Sequence, residues 1–128
     1  MRPGPFFFGG TMADERLARL LRRFAAAAAL HAAAVEAMDE GEAQHHAVVV
    51  DRLYAEIVRY GERGREELVL LAERSEGAVA GMAAVYSLRY YPQRSIPILR
   101  CLAEEPGLLG FRAGVALERW ERGEWELE

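Results

Sequence analysis

The amino-acid sequence predicts an all-α chain of about six helices that opens with a long antiparallel pair. Three observations carry this expectation. Residue usage is helical: 52% of the 128 residues are apolar, mostly Ala, Leu and Val, with a single Thr (Thr11) and no Asn. Apolar residues recur at alternating steps of four and three, the spacing of one helix face. Glycine and proline clusters then cut the chain into helix-length pieces.

Residues 1–12 read as a disordered leader and 13–125 as one helical domain. Met12-Ala-Asp-Glu would serve as a start codon followed by a helix cap, so translation from Met12 is an alternative to translation from Met1. The first helix is expected from about Asp14 to Glu40, capped by Asp14 or a neighbour. Its stripe is Leu17, Leu21, Phe24, Ala28, His31, Val35 and Met38, and Gly41 is expected to break it. A second helix over about Glu42–Tyr60 turns Ala43, Ala47, Val50, Tyr54 and Ile57 inward. So short a turn between two long helices makes them antiparallel.

Beyond Gly61-Glu-Arg-Gly64 the elements shorten. A third helix is expected over about Arg65–Glu73, with Leu68 and Leu71 inward, and a fourth over about Ala78–Tyr90, ended by Tyr91-Pro92. The fifth, about Ser95–Glu104, carries Pro97 in its first turn, where a missing N–H costs nothing. The sixth, about Leu108–Arg122, buries Leu109, Ala113, Ala116, Leu117 and Trp120. A shift of thirty residues lays the fourth helix on the sixth: Gly77 on Gly107, Ala83 on Ala113, Val85 on Val115, Arg89 on Arg119 and Tyr90 on Trp120. A small-residue helix with an aromatic end, repeated after a return helix, is how a short α-solenoid reads in sequence.

The stretch Ala103–Gly123 (AEEPGLLGFRAGVALERWERG) resembles the closing segment of the bacterial family called domain of unknown function 2019. The order of the rest is similar too: an Ala-rich helix with Phe24-Ala-Ala, an Asp51-Arg-Leu-Tyr54 element, a short Leu-rich helix and a final pair. The resemblance spans about residues 14–125, leaving the Phe-rich leader outside the family pattern. It implies a HEAT/armadillo-like, right-handed α-solenoid fragment without enzyme activity or cofactor. Some small helical-repeat families of this kind resemble immunity proteins encoded beside bacterial toxins.

Composition narrows the function classes. All sixteen basic residues are Arg, the default cation here, and the net charge is −4. Nucleic-acid binding normally wants a basic face, so it ranks last. Arg16, Arg19, Arg22 and Arg23 cluster, which reads as a solvated helix face. The single cysteine, Cys101, excludes an intramolecular disulfide; among Leu99, Leu102 and Ala103 it reads as a buried structural thiol. The apolar runs are too short for a signal peptide or a membrane span, so the expected setting is cytoplasmic, away from the membrane.

Catalytic constellations find little material. Glu42-x-x-His45 has the spacing of a di-iron helix element, but a site needs a second copy, and the neighbouring His45 and His46 diverge on a helix. His31 lies on an apolar stripe, where a core or core-edge histidine is the ordinary outcome. The serines are Ser75, Ser87 and Ser95, none in a Gly-x-Ser-x-Gly turn, and no phosphate-binding glycine loop occurs. Glu104, Glu105, Glu118, Glu121, Glu124, Glu126 and Glu128 read as a solvated acidic rim. No catalytic residue, metal ligand or cofactor is therefore assigned.

Surface recognition remains. Tyr, Trp and Arg supply most interface hot spots, which singles out Tyr91, Arg94, Arg112 and Trp125 as protein contacts, while Tyr90 and Trp120 read as core caps. The expected function is protein binding, with a toxin encoded nearby as one partner; an acidic binder would meet a basic toxin faster. The alternatives are a helical enzyme using His31 in a polar inter-helix pocket, and a structural homodimer built on the Ala-rich helices.

Overall fold

A computed structural model describes residues 11–124 and folds them into six helices: α1 (Met12–Glu36), α2 (Glu40–Val58), α3 (Glu62–Arg74), α4 (Gly77–Ser87), α5 (Pro92–Ala103) and α6 (Gly107–Glu121). No strand occurs among the described residues. Residues 1–10, most of the expected leader, lie outside them. Thr11 and Met12 instead belong to the helix start, because Thr11 makes a reciprocal capping box. Its hydroxyl accepts from the Asp14 N–H at 3.0 Å, and the Asp14 carboxylate accepts from the Thr11 N–H at 3.3 Å. Asp14 is thus the third residue of the helix rather than its cap.

The break between α1 and α2 falls before Gly41, at Met38. Ala37 ends the helix and Met38 takes a left-handed φ of 58°. The Asp39 N–H then reaches back to the Ala34 carbonyl at 2.9 Å and the Met38 N–H to that of Val35 at 3.0 Å. These are the two bonds of a Schellman turn. Asp39 wins the next cap because its carboxylate accepts from the Glu42 N–H at 3.1 Å, leaving Gly41 inside the first turn of α2.

Helix α3 starts at Glu62, earlier than the glycines suggest. Gly64 is buried within it, where a Cβ would collide with the Ile57 carbonyl at the end of α2. That glycine serves packing between helices rather than a loop. Helix α4 stops at Ser87, and Tyr91 leaves the helical region (φ −136°, ψ 65°) directly ahead of Pro92. Pro92 itself opens α5, which places Pro97 in the helix interior rather than the first turn. Pro97 and Gln93, whose carbonyl loses its partner, both lie on the exposed side, so water can replace the missing bond. Gly77 and Gly107, thirty residues apart, open α4 and α6 with positive φ of 58° and 78°.

Helix α4 contains no charged residue, and it is covered on several sides by α1, α3, α5 and α6. Sequential helices also pair, α1 with α2, α3 with α4 and α5 with α6, and α3 lies on α5 as α4 lies on α6. The core joins Leu17, Phe24, Val50, Ile57, Leu68, Leu88 and Leu99. On α1, Leu20, Ala27 and Ala34 are buried with most of the expected stripe, whereas Leu21 and Val35 are half-buried and Met38 lies beyond the helix end, exposed. On α6 only Gly110 and Ala113 are fully covered, since a terminal helix has neighbours on one side. Cys101 is exposed, not buried: α5 turns Leu99 inward, and a residue two further on points about 200° away.

Aromatic rings lock α2 to α4. Tyr54 and Tyr86 lie 4.6 Å apart by ring centroids, and Phe24 meets Tyr86 edge-on at 5.8 Å. The Tyr54 and Tyr90 hydroxyls share a 2.9 Å hydrogen bond. Tyr90 is half-buried against the core, with the Arg65 and Arg89 guanidiniums over its ring. Trp120 also packs partly buried on the core.

Two outcomes follow for unfolding in urea. Met38→Gly should stabilise the protein by about 1 kcal/mol, since a left-handed non-glycine residue costs that much and the exposed side chain gives up little packing. The Ser87 and Ser95 hydroxyls are buried without a hydrogen-bond partner. Ser87→Ala should therefore change stability by less than about 1 kcal/mol, or raise it.

Candidate functional site

Helices α1 and α6 both rest on α4 and make little contact with each other, so a V-shaped groove opens between them. Its volume is about 490 Å³, within the size range of ligand sites. Ala78 and Gly81 of α4 line its floor, with Met82 and Val85 beside them. Ala28, Ala32 and Val35 of α1 form one wall, and Leu109, Ala113, Val115 and Ala116 of α6 form the other. Phe111 is 68% exposed and Leu108 40% exposed, both on the groove's α6 side. Large apolar side chains left facing water beside an apolar cleft are a signature of a contact surface.

A few polar groups punctuate this hydrocarbon. His31 and Glu36 line the α1 side, and Arg112 and Arg119 the α6 side. Burial holds the His31 imidazole below its ordinary pKa, with the Arg112 guanidinium and then His46 adding to the effect. His31 is therefore a buried imidazole of lowered proton affinity, set beside Arg112 and His46 in a groove whose lining is mostly hydrocarbon.

The four residues singled out as contacts fare differently. Arg112 is exposed and lines the groove. Arg94 is committed to α3: its Nε and Nη2 donate to the Glu73 carboxylate at 2.9 and 2.7 Å, and its Nη1 donates to Glu66 at 3.0 and 3.1 Å. The same guanidinium lies 5.3 Å from the Tyr91 ring centroid. Tyr91 and Arg94 thus form one cluster that ties α5 to α3, remote in composition from the groove. Hydrogen bonding to Arg94 holds the Glu73 carboxyl below its ordinary pKa, while burial raises those of Tyr91 and Tyr86, the latter to about 12. Trp125 lies outside the described residues.

Glu42 pairs with His46 (3.3 Å) one turn along α2, not with His45. Among the described residues no cluster of three or more His, Cys, Asp or Glu side chains is arranged to hold a metal ion. No helix among the described residues is long and apolar enough to cross a membrane. Phe111 escaped the sequence reading, although a signal existed: it falls off the buried stripe of α6, on the arginine-bearing side.

The fold and groove together define a small all-α protein with an open apolar cleft between its first and last helices. Comparison with known protein families, with curated proteins and with solved structures finds no match.

The groove's histidine gives a pH test. Folding lowers its proton affinity, so the unfolded chain takes up more protons as pH falls through the ordinary value of 6.5. The stability tied to neutral His31 is full above that value and is lost as pH drops toward and through the lower folded pKa. Urea midpoints measured between pH 7.5 and 5 should decline in the wild type and decline less in His31→Gln.

Proposed function

We propose that this protein is a non-catalytic, protein-binding helical-repeat domain that seats an apolar segment of its partner in the α1–α6 groove. The carrying observation is the pairing of an apolar cleft with the exposed Phe111 and Leu108 on the same side. Arg112 and Arg119 make that side cationic, so the seated segment carries carboxylates beside its apolar residues. The hydrocarbon round His31 suits holding such a segment better than transferring a proton. In this reading the stacked pairs α3–α4 and α5–α6 form an α-solenoid fragment of HEAT/armadillo type, and the chain belongs to the family its closing segment resembles. What supports the repeat is the shared positive-φ glycine opening α4 and α6, with Ala83 and Ala113 buried at equivalent places.

Within this reading the partner is a toxin encoded beside the gene, neutralised by occupation. Each neighbouring gene product is to be titrated calorimetrically against the wild type and Phe111→Asp. Binding that weakens by at least about tenfold in Phe111→Asp, roughly 1.4 kcal/mol, is the expected result. Binding unaffected by Phe111→Asp would remove the groove, and binding by no neighbour would remove the toxin. Light scattering covers the homodimer reading, which requires twice the chain mass of 14.3 kDa.

A further inference from the structure

A second concavity lies between the N-terminal half of α1 and the end of α2. Its volume is about 520 Å³, and it is lined by Arg16, Arg19, Arg23, Arg59, Glu56 and Tyr60 above Leu20. The sequence alone offered a cluster on one helix face; folding changes its composition. Arg16, Arg19 and Arg23 share a face at steps of three and four, Arg22 turns away, and Arg59 arrives from α2. Four guanidiniums therefore converge on one groove against a single carboxylate, in a chain whose net charge is −4.

Three arginines elsewhere do meet carboxylates: Arg63 pairs with Asp14 and Glu67, Arg94 with Glu66 and Glu73, and Arg122 with Glu118. Among the described residues, none of the four groove guanidiniums has an ion pair or hydrogen bond. Like charges gathered without partners repel, and an anion that neutralises them recovers that energy. Arginine forks match phosphate oxygens two at a time. Arg16 to Arg23 spans two turns, roughly 10 Å of helix axis, which fits several linked phosphates better than one carboxylate.

We propose that this arginine groove binds a small polyphosphorylated molecule through its phosphate oxygens. The site is separate from the apolar groove, because α1 contributes to the two with different stretches, residues 16–23 and 28–36. Its occupation therefore stands or falls independently of the protein-binding reading.

Calorimetry and thermal unfolding of the full chain with tripolyphosphate, at constant ionic strength near 150 mM, test it. Arg19→Gln/Arg59→Gln is the paired variant; both positions are exposed, Gln suits a helix, and circular dichroism checks the fold. The expected result is saturable one-to-one binding that raises the melting temperature and weakens at least about tenfold in the double variant. An equal effect from citrate or sulfate at the same ionic strength would reduce the groove to general screening and overturn the proposal. So would absence of binding, or binding unchanged in the variant. A single-stranded oligonucleotide that binds more tightly than tripolyphosphate, with the same variant sensitivity, would replace the small molecule by nucleic acid.

Discussion

The rest of the structure depends on α4, a helix of eleven residues with no charge on any face. Such a helix cannot remain at a surface, and burying it requires neighbours on several sides. Its small residues, Ala80, Ala83 and Ala84, let backbones come close, and all three are buried. The longer apolar side chains around it then supply the packed volume. Ala78 and Gly81 line the floor where α1 and α6 diverge, and the missing side chain of Gly81 lets Leu102 and Leu109 pack close against α4.

Polar interactions act around this centre as fixed braces. The Arg94 fork on Glu66 and Glu73 joins α3 to α5, and the tyrosine cluster joins α2 to α4. Individually, half-exposed ion pairs add little stability. A bidentate guanidinium stacked on Tyr91 does, however, fix the angle between two helices. The residues that look most like recognition elements in sequence therefore include some whose donors the fold itself consumes.

All six helices and the pairing of α1 with α2 were legible in sequence, because periodicity and breaker residues are local signals. Boundaries were less so. Gly41 and Gly64 invited breaks that the chain does not make, since Asp39 offers a better cap and Gly64 is a packing glycine against Ile57. Pro97 looked acceptable only in a first turn, yet an exposed helix face tolerates it further in. Cys101 was misplaced because adjacent leucines were read as its surroundings rather than as the opposite face. For the groove, the sequence held the ingredients, His31 and Arg112, without their juxtaposition. That depends on how α1 crosses α4, a tertiary angle with no local signature.

The packing of α1 on α4 has a consequence for how the molecule assembles. Most other joints connect helices adjacent or nearly adjacent along the chain, and such local pairings form early because they close short loops. The α1–α4 joint skips two whole helices and closes a much longer loop. The cleft wall on the α1 side therefore rests on the pairing of greatest sequence separation among the main helix contacts. A chain loosened at that one joint would keep its later hairpins yet possess no cleft, so the groove exists only while the most distant partners in the sequence stay together.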